Sequence, residues 1–183
     1  MVTHRYWDAC CFLGYLKAED DKIVQCEAVI DEAQEGKLII VTSAITLAET
    51  LYLVKGQKPV PAEIRDKVQG FFQNDYIYLA EVDRKIGEMA QEVVWDHGIK
   101  PKDAIHVATA LRVGEKIPIT QLDTFDNPLI QHSGKIDNLQ IGAPSFQTDL
   151  MTDAAMHSSI TTSIRVPINP DDQPYSAGST HPD

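Results

Sequence analysis

Short apolar runs rich in β-branched and aromatic residues alternate along this chain with segments of helical period. That alternation limits the fold more than any other feature. The runs HRYW, KLIIVTS, YIYLAEV, KIPITQL and NLQIG have the length and composition of strands. Between them, apolar residues recur at three- and four-residue intervals. This predicts helices over Ala9–Lys17, Asp21–Glu35, Ala44–Lys55, Pro61–Gln73, Asp83–His97 and Pro101–Val113. A strand that returns through one or two helices re-enters its sheet in the same direction. The expected fold is therefore α/β: a three-layer α/β/α sandwich around a central, mostly parallel five-stranded sheet. In such open sheets ligands bind beyond the carboxyl ends of the strands, so chemistry is to be sought there.

Four carboxylates fall at those ends. Asp8 follows the first strand and opens a helix, a position where Asp serves as N-cap. Glu49 lies early in the helix after the second strand, beside the stripe of Ala44, Ala48, Leu51 and Tyr52, and Thr46-x-x-Glu49 matches a capping box. Asp103 occupies the first turn of KPKDAIHVATALR, where Pro101 suits the first helical position and Ala104, Val107, Ala108 and Leu111 mark the buried face. A helix dipole alone accounts for an acid in that turn. Asp123 follows the fourth strand, where Asp commonly starts a turn. Each has an ordinary explanation, but a parallel sheet brings all four to one rim. Like charges gathered there repel unless a cation joins them. Oxygen-only ligation suits Mg²⁺ or Mn²⁺.

Net charge bears on the substrate. At −11, with a pI near 4.9, the chain lacks the basic footprint of a general nucleic-acid binder. Bound divalent ions can supply the missing positive charge locally.

Taken together, the motifs resemble the PIN-domain family of metal-dependent ribonucleases, which includes the VapC-type toxins. YWDACCFL resembles the family's strand–Asp–helix start, and TSAITLAETLYL its Ser/Thr-rich approach to a helical Glu. KPKDAIHVATAL resembles Asp-Ala-x-His-x-Ala-x-Ala, and ITQLDTFD the closing Thr…Asp strand end. The resemblance runs from Arg5 to about Phe146 and implies that Asp8, Glu49 and Asp103 hold the metal. Asp123 is the match for the fourth acid. Its spacing from Thr120 is one residue longer than the usual Thr-x-Asp, which leaves Asp126 as a rival. Cys10 and Cys11 stand where the family often has Ser, Thr or Asn. Ser43 and Thr46 are candidate partners of ligands or substrate, with helix capping the simpler use.

The resemblance further implies metal-assisted hydrolysis of RNA phosphodiesters to 5′-phosphate and 3′-hydroxyl ends. It implies a toxin's partners as well: an RNA substrate, an antitoxin protein and a second copy in a homodimer. Lys58, Lys100, Lys102 and Arg112 are candidate substrate contacts, His106 a packing or hydrogen-bonding residue, and Trp7, Tyr52 and Trp95 core or interface residues. The alternative is a PIN-like module that binds RNA or protein without cutting. A haloacid-dehalogenase phosphatase needs Asp-x-Asp, and Asp8-Ala9-Cys10 fails at the third position. The acid and Lys placement of a receiver domain does not fit the Asp103 helix.

Cys10, Cys11 and Cys26 form no CxxC pair and read as small apolar residues in a reducing compartment. The N-terminus lacks the apolar core and cleavage site of a signal peptide, and no run approaches the ~20 residues of a membrane span. A cytoplasmic protein without a membrane segment is expected. Composition shifts near Phe146, so the expected domain covers residues 1–146. Residues 147–183 form a Ser/Thr/Pro/Asp-rich tail, at least partly disordered, in which SSITTSIRVPI could add an edge strand.

Overall fold

The computed structural model describes residues 2–50 and 59–145. The end of the predicted third helix with Tyr52 lies outside them, as do Lys58 beyond that helix, the tail and its SSITTSIRVPI segment. Five strands form one sheet: β1 (Thr3–Trp7), β2 (Leu38–Ser43), β3 (Ile77–Ala80), β4 (Gln121–Asp123) and β5 (Ile141–Gly142). Their order is β3-β2-β1-β4-β5 and every pairing is parallel. Seven helices accompany them among the described residues: α1 (Ala9–Leu16), α2 (Ile23–Gln34), α3 (Ile45–Glu49), α4 (Ala62–Phe71), α5 (Arg84–His97), α6 (Pro101–Gly114) and α7 (Asn127–Ile130).

Side chains alternate between the two faces of a strand, and each face here has its own core. Tyr6, Val41 and Leu122 pack against Val93 of α5 and Val107 and Ala108 of α6. Trp7, Leu38 and Ile40 face the other way, against Phe12 of α1 and Val29 and Ile30 of α2. Helices thus cover both faces, giving the expected three layers. β1 lies in the middle, where Tyr6 on one face and Trp7 on the other have no exposed surface.

Local chemistry sets the helix ends. Asp83 caps α5 by accepting from the Ile86 amide at 2.9 Å. Gly98, at φ 66°, ends α5 in the left-handed conformation that glycine adopts without steric cost. The chain then re-enters α6 at Pro101 within a few residues. α6 starts beside Glu49 of α3, the helix that follows β2, with Asp103 in its first turn. The fourth strand is shorter than KIPITQL suggested. Pro118 has no amide for the ladder, so regular pairing waits until Gln121.

The chain steps from β1 to β2 and β3 on one side, then to β4 and β5 on the other. β1 and β4 therefore flank the switch point where open sheets form a crevice. Asp8 stands there, its amide bonded to the Asp123 carbonyl at 3.2 Å.

Candidate functional site

Asp8 has two roles built into one carboxylate. It is the N-cap of α1, with Oδ1 accepting from the amides of Cys10 at 3.0 Å and Cys11 at 3.2 Å. Oδ2 accepts from the Thr124 hydroxyl at 2.6 Å. An ionised carboxylate has about four acceptor positions, and donors of the chain itself occupy that number. The Cys10 thiol also donates to Oδ1 at 2.8 Å, and its sulfur accepts from the Phe125 amide at 3.0 Å. Cys10 is thus a half-buried hydrogen-bonding residue in this crevice rather than a core residue, and it makes the contacts a hydroxyl would make. Cys11 and Cys26 are core residues as expected. Burial pushes the Cys11 thiol well above its ordinary range and that of Cys26 up to about 12.

Glu49 does not form the capping box. Thr46 instead bonds Thr42 at 2.8 Å, and Glu49 reaches across to α6. Its Oε1 accepts from Lys102 at 2.7 Å and its Oε2 from His106 Nε2 at 2.9 Å. Nδ1 of His106 meets the Tyr6 hydroxyl at 2.8 Å. Its two ring nitrogens thus bridge Tyr6 and Glu49, and His106 has the hydrogen-bonding role expected of it. Burial raises the proton affinity of Glu49, and the donors His106 and Lys102 outweigh it, so the carboxyl lies below its usual range. Ser43 accepts weakly from the Ile45 amide at 3.4 Å in the turn before α3, whose N-cap is Ala44 and which no side chain caps.

Asp103 differs from these. The N-cap of α6 is Lys100, and no side chain caps this helix. Burial raises the Asp103 pKa first, and the charges of Asp126 and Asp8 raise it further against the opposing pull of Lys100 and His106. The charges of Asp126 and Asp8 thus act on Asp103, although among the described residues the three carboxylates are not drawn within 4.8 Å of one another. Asp126 precedes α7 and makes no capping hydrogen bond with its side chain.

Asp123 is placed elsewhere. It is the last residue of β4 rather than a residue after it, and it shares a sheet face with Arg5 and Trp7. Its carboxylate accepts from Arg5 at 2.5 Å, Trp7 Nε1 at 2.9 Å and Gln121 at 2.8 Å, with no exposed surface. Arg5 also donates to the Ser145 carbonyl at 2.6 Å. Asp123 is thus the buried partner of an arginine, turned away from the other acids. Asp126, the rival for the fourth acid, stands in Thr124-Phe125-Asp126, a Thr-x-Asp of the usual spacing, and the Thr124 hydroxyl donates to Asp8.

Burial raises the Asp123 carboxyl to about 6 in spite of Arg5. An unfolded aspartate titrates near ~3.9, so the folded state holds this proton more tightly. Its contribution to stability is complete below pH ~4 and is lost as pH rises through ~6. Urea titrations at several pH values should show the difference between wild type and Asp123→Asn changing across that window. A difference constant from pH 4 to 7 would contradict the assignment.

Among the described residues one group of potential ligand atoms lies within 4.8 Å: Asp8, Cys10 and Cys11. Within this group Cys11 is fully buried, and Cys10 is half-buried. Arg112 is paired with Glu115 near the far end of α6, about 13 Å along the axis from Asp103 at 1.5 Å per residue. Trp7 is core, whereas Trp95 is 65% exposed and so not core.

This geometry defines an open parallel α/β domain with an acidic switch point. A profile of the PIN domain matches residues 5–134, and the chain belongs to the PIN-domain family. Its fold is similar to the crystal structure of VapC20 from Mycobacterium tuberculosis, a toxin described as cleaving the sarcin–ricin loop. The TM-score is 0.54 at 16% identity, over 68% of this chain and 91% of that one. A comparison with curated protein sequences gave no match. No helix among the described residues is long and apolar enough to cross a membrane.

Proposed function

We propose that this chain is a metal-dependent endoribonuclease, the toxin of a toxin–antitoxin pair. The observation that carries the reading is Asp103: a carboxyl in a helix's first turn, without a capping role, whose ionised form is opposed by burial, Asp126 and Asp8. Such a cluster fits a hard divalent cation, Mg²⁺ or Mn²⁺, because oxygen ligands and repelling charges are what that ion stabilises. Asp8, Asp103 and Asp126 would hold it, with Glu49 completing the acidic set; Asp123, sealed against Arg5, is replaced by Asp126 in this role.

A bound ion of this kind lowers the pKa of a water and offsets charge on phosphoryl oxygens. The protein's own part is positional. Thr124 and the α1 amides fix the Asp8 carboxylate. His106, backed by Tyr6, fixes Glu49. Lys100 and Lys102 border the crevice with positive charge for a phosphate, which an acidic chain needs there. A toxin's antitoxin and a second copy of this chain are the partners this reading brings, and the exposed indole of Trp95 would offer them apolar surface. The cytoplasm is the matching compartment.

The test is cleavage of a panel of structured RNAs in Mn²⁺ or Mg²⁺, repeated in EDTA. Products with 5′-phosphate ends, absent in EDTA, are expected. Metal-independent cleavage would sink the reading; RNA binding without cleavage would favour the non-catalytic module. Calorimetry with Mn²⁺ should separate the fourth acid: Asp126→Asn weakens binding at least about tenfold, a typical cost of disturbing a metal site, whereas Asp123→Asn leaves it near wild type. The reverse order would return Asp123 to the centre.

A further inference from the structure

Glu49 has one fixed partner and one removable partner. His106 is fixed: its side chain is 3% exposed, and it is held from behind by Tyr6. Lys102 is removable: its side chain is 68% exposed and reaches Glu49 Oε1 at 2.7 Å on a flexible stem. Lys102 and His106 are four residues apart on α6, so they lie on one face and straddle the carboxylate. Asp103, one residue along, has no ion pair among the described residues and feels the charges of Asp8 and Asp126. The consequence is asymmetric: of these acids, Glu49 is the one neutralised by a lysine of the chain itself.

We propose that Lys102 is an internal counter-ion that withholds Glu49 from the metal centre until a substrate phosphate draws the ammonium away. This rests on the metal-centre reading above. An exposed ammonium holds a carboxylate weakly, and lysine binds phosphate as a point charge, so a phosphodiester arriving at the crevice competes for the same group. Transfer of Lys102 to the phosphate frees Glu49 Oε1 and adds an acidic ligand once RNA is present. The ion and the RNA then assist each other's binding, which suits an enzyme whose full metal set is wanted only on substrate.

The test is Mn²⁺ calorimetry on the full chain without RNA. It compares wild type, Lys102→Met, Lys100→Met, Glu49→Gln and the Lys102→Met/Glu49→Gln double variant. Lys100→Met controls for the loss of one positive charge near the site. Lys102→Met should tighten Mn²⁺ binding about fivefold or more, the lower end of common coupling between sites. Lys100→Met should do distinctly less. Glu49→Gln alone should change little, and in the double variant the gain should vanish. Dimethyl phosphate, an unreactive phosphodiester anion, should tighten Mn²⁺ binding to wild type and not to Lys102→Met. Equal effects of Lys102→Met and Lys100→Met, or a gain that survives Glu49→Gln, would overturn the proposal. A phosphate effect undiminished in Lys102→Met would overturn it too. Absence of Mn²⁺ binding by every variant would overturn the metal centre itself, a result distinct from the others.

Discussion

Asp103→Asn is expected to lower RNA cleavage by about 10²–10³-fold, the scale on which loss of one charge-stabilising group acts in an active site. The same change is expected to make the metal-free protein more stable. Asn keeps the shape of Asp103 and removes a charge that burial, Asp126 and Asp8 all oppose. The gain is expected to be modest, because solvent reaches Asp103 and screens the repulsion. Melting curves in EDTA should therefore place the variant above wild type. Added Mn²⁺ should reverse that order, because an ion that binds only the folded state stabilises it by mass action. If the variant instead melts lower in EDTA and cleaves normally, Asp103 serves the helix dipole alone and the metal centre lies elsewhere.

Arg5→Met carries the largest expected effect on stability. Arg5 and Asp123 form an ion pair that is almost wholly out of water, at 2.5 Å. Removing one member of such a pair leaves the other charge buried and typically costs about 3–5 kcal/mol. Met matches the arginine stem in length, so little of the loss comes from a cavity. Trp7 and Gln121 would still donate to the carboxylate, but no cation would balance it. The loss should therefore shrink at acidic pH, where Asp123 takes up a proton. In urea denaturation near pH 7.5, Arg5→Met/Asp123→Leu should recover much of the stability, since replacement of both members removes the unpaired charge. A single-variant cost below about 1 kcal/mol, inside the range of exposed pairs, would show that water reaches the pair.

These two variants separate roles that look alike in the sequence. Asp103 and Asp123 are both acids near the carboxyl edge of a sheet, one expected to limit stability and serve chemistry, the other expected to serve packing. Their surroundings differ by which face of which element carries them. Asp123 shares a face of β4 with Gln121, opposite to Leu122, and this turns it toward Arg5 and Trp7. Three residues on, Asp126 is past the strand and free of that alternation.

Periodicity determined the element order and the parallel sense of the sheet, and placed Asp8, Glu49 and Asp103 near the starts of helices, because each depends on patterns within a few turns or one strand. The alternation of apolar residues, and a capping Asp after a strand, are local and survive translation into structure with little change. The tertiary structure alone decided that Asp123 is buried beside Arg5, 118 positions away, and that Glu49 meets Lys102 and His106 rather than Thr46. It also turned Cys10 into a hydrogen-bonding residue of the crevice. Those outcomes depend on where a strand stops pairing and on which side chains meet across the sheet. The fourth strand made that hardest to read: Pro118 delays its start, and a shift of one residue sends a side chain to the opposite face.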